Sequence, residues 1–229
     1  MLLVRAADIP EYVQDGVVDC GITGFDLVRE RGADVRELLR LGFGSCRLEV
    51  AVPDGSAAAS PLDLAGERIA TVYPRLVREL LPAAVTLVDV TGSVELAPRL
   101  GLADAIVDLV SSGNTLRTNG LRSIGVLLES EAVLIAADGD AAASLAAMLR
   151  SVVEARCHRY LMLNAPKHAL AAIAELVAPR VPSVLPLHED GLVAVHALVP
   201  AADVWRLLPE LERAGGSSIL VVPVERMVA

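Results

Sequence analysis

The chain has 229 residues, 54% of them hydrophobic, and a formal net charge of −9. That length holds two compact domains, or one larger domain with an appendage. The acidic balance argues against a nucleic-acid backbone or an anionic membrane as partner. An aromatic content of 3% removes the usual stacking platforms for single-stranded nucleic acid. Small phosphorylated ligands stay open, because they need only a local cradle of amides and a few cations.

Cys20, Cys46 and Cys157 are odd in number, far apart and without a CxxC pair, which fits reduced thiols rather than a disulfide or a zinc site. No signal-peptide segment follows Met1 and no apolar run is long enough to span a bilayer. A soluble, cytoplasmic protein is expected.

In chain order, strand-like runs alternate with helix-like stretches, the pattern of an α/β protein. "VVDCGITG" ends in Gly-Ile-Thr-Gly, and "FDLVRERG" reads as a short helix closed by Gly32. "CRLEVAV" (Cys46–Val52) is a strand, followed by the linker-like "PDGSAAAS". Next come the strand "ERIATVY", a helix from Pro74 to Leu81, the strand "AVTLVDV", a helix beginning near Ser93, and the strand "DAIVDLV". Three short strands so spaced predict βαβ units in a parallel sheet. "SIGVLLESEAVLIA" (Ser123–Ala136) is overlong for one strand and is expected to bend or to cross between domains. "DAAASLAAMLRSVVEAR" is a helix rich in alanine and leucine.

From about residue 156 the order is strand, helix, strand, strand, helix, strand. This is the βαββαβ ferredoxin-like arrangement of a separate small domain. Leu170, Ile173, Ala174 and Val177 share one helix face, and Val204, Leu207, Leu208 and Leu211 share another. Gly215 and Gly216 stop the second of these helices, and Pro209 is expected to bend it.

The chemistry concentrates where strands end in small polar residues. After Asp108, the run Ser111-Ser112-Gly113-Asn114-Thr115 offers amides and hydroxyls for a phosphate, with Asp108 placed to accept from ribose hydroxyls. Read alone it is equally a plain polar turn. "TGSVELAP" supplies Ser93 as a candidate N-cap and Glu95 in the first helical turn. "GITGFD" adds Gly21, Thr23 and Gly24. Three such strand ends suggest one shared cleft. The four histidines, His158, His168, His188 and His196, match no metal spacing, and His196 reads as a strand residue.

The segments "DIPEYVQDGVVDCGITGFDLV", "LGFGSCRL", "GSVELAPRLGLADAIVDLVSSGNTLRTNGL" and "SSILVVPVERMV" resemble the ATP phosphoribosyltransferase family, the first enzyme of histidine biosynthesis, over nearly the whole chain. The tail resembles the regulatory domain of the family's long form. The resemblance implies an α/β fold: a two-lobed catalytic part like type II periplasmic binding proteins, plus the C-terminal ferredoxin-like domain. It places residues 1–48 and 130–154 in one lobe, 49–129 in the other, and 155–229 in the regulatory domain. It makes Asp108 and Glu95 the catalytic carboxylates near ribose and metal. It assigns Ser111, Ser112, Gly113, Asn114, Thr115 and Leu116 to the 5-phosphate of phosphoribosyl pyrophosphate, with Arg5 facing polyphosphate.

Mg²⁺ is the implied cofactor, with no ligand set assigned. ATP and phosphoribosyl pyrophosphate are the implied substrates, and a homo-oligomer (dimer or hexamer) the implied assembly. Histidine is the implied feedback inhibitor, loosely matched at Asn164, Ser183, Leu198 and Ser218. Relative to the family pattern the chain lacks an opening strand with a Lys-Gly-Arg-Leu-type motif, on the order of 40 residues, about one βαβ unit. Three readings follow: an active enzyme whose start lies further upstream, a truncated relative that binds without turnover, and a two-lobed solute-binding protein.

Overall fold

The computed structural model describes residues 1–138, 140 and 142–228. The chain divides into two compact units, Met1–Ala146 and Ala147–Ala229. In the first, α1 (Ile9–Gln14), β1 (Cys20–Gly24), α2 (Phe25–Arg31) and β2 (Arg36–Arg40) open the chain. Then follow β3 (Cys46–Pro53), β4 (Arg68–Thr71), α3 (Pro74–Leu80), β5 (Thr86–Asp89) and β6 (Ala105–Val110). The short helix α4 (Asn114–Thr118), β7 (Leu121–Ser130) and β8 (Ala132–Ala136) complete its strands and helices. Gly32 ends α2 with a left-handed φ of 61°, a backbone state that side chains disfavour.

The strands form two sheets. One is three-stranded, β1-β8-β2, with both edges antiparallel to the central β8. The other is five-stranded, β5-β4-β6-β3-β7. β4 runs parallel to β5 and β6, but β3 is antiparallel to β6 and β7. The three strands expected to be parallel, β4, β5 and β6, are so, and the antiparallel β3 and β7 make the whole sheet mixed. The reason is that β3 enters from the other sheet and β7 leaves toward it, so neither belongs to a βαβ unit. β6 is buried on both faces at Ala105, Ile106 and Val107, which is why its sequence is a continuous apolar run rather than an alternation.

The overlong Ser123–Ala136 stretch resolves into β7 and β8, one in each sheet, with Glu131 between them. The second crossing is Leu41–Ser45, which joins β2 to β3. The two crossings are tied together: Leu41 N–H donates to Ala132 O, Ala132 N–H to Phe43 O, and Gly42 N–H to Glu131 Oε2. The helix expected near Ser93 is only a 3-10 turn, Val94–Leu96. Ser93 has φ 51° and makes no side-chain cap, and Pro98 follows too closely for a helix to propagate past it.

α5 (Ala143–Arg156) begins later than the Asp140 start read from sequence, and Ala141 lies outside the described residues. The second unit carries β9 (His158–Pro166), α6 (Leu170–Leu176), β10 (Ser183–Pro186), β11 (Leu192–Pro200), α7 (Val204–Arg213) and β12 (Ser217–Pro223). Its sheet order, β10-β11-β9-β12, is antiparallel throughout, as the ferredoxin-like arrangement requires. β9 and β11 alternate strictly, burying Leu161, Leu163, Ala165, Val193, Val195, Ala197 and Val199 against Ile173, Leu207 and Leu211 of the two helices.

α7 runs through Pro209 and ends in a paired stop: Gly216 N–H donates to Leu211 O at 2.8 Å and Gly215 N–H to Glu212 O at 3.0 Å. Gly215 holds φ 99°. Gly215→Ala is expected to destabilise the second unit by about 1 kcal/mol or more, read as a lowered denaturant midpoint at unchanged slope.

Candidate active site

β6 brings Asp108 to the end of the five-stranded sheet, two residues before the chain turns into the loop Ser111–Gly113. Gly113 takes φ 73°, and α4 starts at Asn114. Leu116 is buried and anchors α4 on the apolar face made by Ala51, Ala70, Val94, Ala97, Ile106 and Val110. The hydroxyl residues ahead of it are exposed. The 3-10 turn carrying Val94 packs on that same face and sets Glu95 at the rim. A pocket of about 130 Å³ results, lined by Glu95, Asp108, Leu109, Val110, Ser111, Ser112, Gly113, Thr115 and Leu116. Asn114 stands beside this lining, with its Oδ1 accepting from the Arg117 guanidinium.

Asp108 is half-buried, and its Oδ1 accepts the Leu109 N–H at 2.8 Å. Burial raises its pKa above the usual carboxylate range; the Leu109 bond opposes that shift and the charge of Glu95 adds to it. Across the ladder Asp108 stands opposite Glu49, a buried carboxylate whose Oε1 pairs with Arg47 Nε at 2.8 Å. Glu49 and Arg47 did not stand out in the sequence, where a Glu inside "RLEV" reads as an ordinary outward strand position. Their signal is the i, i+2 spacing, which puts both on Asp108's face of the sheet.

A second pocket, about 340 Å³, adjoins the first and shares Val110 and Ser111 with it. Its other walls are Arg40, Ser45, Cys46, Arg47, Glu129, Ser130 and Glu131, so it lies along the two crossings. The Cys46 thiol is pushed up by burial, then by the charge of Asp26, against a lowering hydrogen bond with Ser130. It is thereby held as a neutral thiol. Asp26, buried behind this wall, accepts from Ser130 Oγ at 2.6 Å and from Tyr73 OH at 2.9 Å. Burial first, and then Asp26, keep the Tyr73 hydroxyl protonated far above its ordinary range.

Several expected residues lie elsewhere. Gly21, Thr23 and Gly24 are in strand β1, not in a loop, and none of them lines either pocket. A Cβ at Gly21 would come within 2.3 Å of Ile9, and one at Gly24 within 2.4 Å of Asp26 Oδ1. Both glycines therefore allow close packing at β1. Thr23 is buried and donates to Ala6 O at 2.7 Å. Arg5 is exposed at the start of a 3-10 turn and also lines neither pocket. The loops that carry Glu95 and Ser111–Gly113 share one pocket, which β1 does not line.

In the second unit Asn164 and Ser218 approach one another at the β9–β12 irregularity, where Asn164 pairs with Ser217 and Ser218 has φ 50°. Ser183 sits on β10 opposite His196. Leu198 lies opposite Tyr160, roughly 13 Å along the ladder from Asn164 at strand rise. These four residues stand one on each of the four strands of the sheet.

Among the described residues no group of three or more His, Cys, Asp or Glu is placed to hold a metal. Glu95 and Asp108 nonetheless suit Mg²⁺, which takes one or two carboxylates and completes its shell with water and substrate phosphates. Among the described residues no helix is long and apolar enough to cross a membrane. Glu95→Gln is expected to lower the Asp108 pKa while leaving it above the ordinary value, since burial remains; carboxyl NMR titration reads this directly.

The family model for ATP phosphoribosyltransferase matches residues 5–155, and the model for "HisG, C-terminal domain" matches residues 155–226. An ATP phosphoribosyltransferase from Methanocella arvoryzae is 42% identical over all of this chain and 84% of its own length. One from Halobacterium salinarum is 44% identical with the same coverage of each. Among solved structures, an ATP phosphoribosyl transferase (HisG:HisZ) complex from Thermotoga maritima is 27% identical with a TM-score of 0.59, covering 67% of this chain and 79% of that one. With the carboxylate pair, the polar loop and both family matches in register along its length, the chain belongs to the ATP phosphoribosyltransferase family.

Proposed function

We propose that this chain condenses ATP with 5-phosphoribosyl 1-pyrophosphate to N1-(5-phosphoribosyl)-ATP and pyrophosphate, the first step of histidine biosynthesis. The observation that carries the reading is the single pocket uniting Glu95 and Asp108 with Ser111–Thr115 in a chain of this family. The loop's amides and hydroxyls hold the sugar's 5-phosphate. Asp108 and Glu95 then face the ribose.

The lone pair of adenine N1 forms the bond to ribose C1 as the C1–O bond breaks, and its electron pair leaves with pyrophosphate. N1 is nucleophilic without activation, so the protonated Cys46 and Tyr73 need take no covalent part. Catalysis rests on alignment and on charge. Asp108 in its anionic form favours the cationic character that develops at C1. Arg40 and Arg47, each about half exposed, border the adjoining pocket, where their guanidinium groups offset polyphosphate charge. Glu95 and Asp108 would hold Mg²⁺, which when bound would neutralise charge on pyrophosphate.

By likeness to the family, histidine is the inhibitor, and the Asn164–Ser218 edge of the second unit is its best-placed contact. The similar Thermotoga structure is a HisG:HisZ complex, which supports an assembly with further chains, and by the family resemblance those include copies of this chain.

The reaction is tested by the ultraviolet absorbance of phosphoribosyl-ATP formed from the two substrates with Mg²⁺. Asp108→Asn is expected to lose about 100-fold or more in kcat. Asp104→Asn, at the opposite end of β6 in a two-point pair with Arg68 (2.9 and 3.1 Å), is expected to stay within about threefold. Because burial raises the Asp108 pKa and its anion is the working form, activity should fall as pH drops through a value above the usual carboxylate range. Equal losses in the two variants would remove Asp108 from the mechanism. Binding of both substrates without product would favour a binding protein instead.

A further inference from the structure

α2 belongs with the three-stranded sheet and α3 with the five-stranded one, yet their side chains interlock. Asp26, Arg29 and Glu30 stand at i, i+3 and i+4, so they share one face of α2. Asp26 Oδ2 accepts from Tyr73 OH at 2.9 Å, just before α3 begins. Both oxygens of Glu30 accept the first free amides of α3, Arg75 N–H at 3.0 Å and Leu76 N–H at 2.9 Å. Tyr73, at the N-cap position, makes no side-chain cap of its own. A carboxylate from the other lobe thus supplies the cap that the local sequence lacks.

Arg29 reaches Glu79 at 2.5 Å on the exposed flank, and at that exposure the pair adds little. Gly32, which ends α2, lets Arg75 pack where a Cβ would meet its guanidinium at 2.0 Å. Among the described residues, the main chain passes between the two sheets at Leu41–Ser45 and at Glu131. Those crossings allow the lobes to swing about a line through them; α2 resists the swing from the side.

We propose that α2 is an interlobe clasp, in which Glu30 on the start of α3 and Asp26 on Tyr73 are positioning residues. They hold the three-stranded lobe, which brings Arg40 to the adjoining pocket, at a fixed setting against the Asp108 loop. Neither residue touches substrate in this arrangement; each acts through the angle between the lobes. The kinetic consequence rests on the phosphoribosyltransferase reading, whereas the mechanical one does not.

The test uses the full chain carrying Glu30→Ala, Glu30→Gln or Tyr73→Phe. Amide hydrogen exchange without ligand reads the hinge at Phe25, Leu41 and Ala132, whose N–H groups bond across the crossings to Glu131, Ala132 and Phe43. Glu30→Ala should speed their exchange by about tenfold. Amides of the β9–β11 ladder serve as the unchanged internal reference. Glu30→Gln retains one acceptor oxygen and should give a smaller increase; it carries the test if the alanine variant does not fold.

Faster exchange confined to Arg75 and Leu76, with the hinge unmoved, would reduce Glu30 to an ordinary helix cap and overturn the proposal. In turnover assays the variants should raise the KM for phosphoribosyl pyrophosphate by about tenfold with kcat within about threefold. Equal losses in both, with the hinge unmoved, count against the clasp. Should the unmodified chain make no phosphoribosyl-ATP, the proposed reaction fails, and the exchange experiment still decides the clasp.

Discussion

A carboxylate buried at the joint between two sheets is expensive unless every oxygen is engaged. Asp26, on α2 of the three-stranded lobe, meets that condition with two hydrogen bonds from the five-stranded side: Ser130, the last residue of β7, on one oxygen, and Tyr73, ahead of α3, on the other. Its own amide completes the ring by donating to Ser130 Oγ at 3.0 Å. Removing one partner of a buried, hydrogen-bonded charge costs about 3–5 kcal/mol. The strands that must meet at this point are thereby selected against slipping. The neutral states of Tyr73 and Cys46 follow from the same source, since burial and the Asp26 charge both disfavour another anion nearby.

The pocket depends on this joint in a second way. The five-stranded sheet presents two faces, each covered by its own apolar cluster. Polar groups gather only at the sheet's rim, where strands end and covering turns stop. Glu95, Asp108 and Ser111–Thr115 occupy that rim on one face, while Arg47 and Glu49 reach it along β3. β3 is the strand that comes directly from the other lobe. The position of the rim residues relative to the second wall is therefore decided at the crossings, not within the loop.

What could be read from the sequence follows from how local each signal was. The second unit was legible almost strand by strand, because β9 and β11 alternate buried and exposed residues and both helices carry a clear apolar stripe. The Asp108 loop drew notice because a polar run at a strand end coincides with the family resemblance; the run alone reads equally as a plain turn. Gly21 and Gly24 carry a different signal: glycine marks close backbone approach, and here the approaching groups include Ile9 and Asp26. The helix expected after Ser93 failed because helical spacing over four residues cannot overcome a left-handed Ser93 and a nearby proline. Asp26, Tyr73 and Glu49 could not be found this way. Their roles come from partners 47, 104 or 59 positions away in sequence, and no local pattern encodes such a meeting.

Those distant partnerships also explain why the family's chemistry sits where it does. A displacement that needs no protein nucleophile places its whole demand on holding two anionic ligands in line against their mutual repulsion. Loops alone hold such an arrangement poorly, since each exposed turn has several conformations of similar energy. Here the Ser111–Thr115 loop is pinned by the buried Leu116 beneath α4, the carboxylates by β6 and the Val94 turn, and the three-stranded lobe by Asp26 and Glu30 against Tyr73 and α3. The mobile-looking polar rim is thus the visible edge of a rigid frame. The residues that set its geometry are the buried acids behind it rather than the hydroxyls in front.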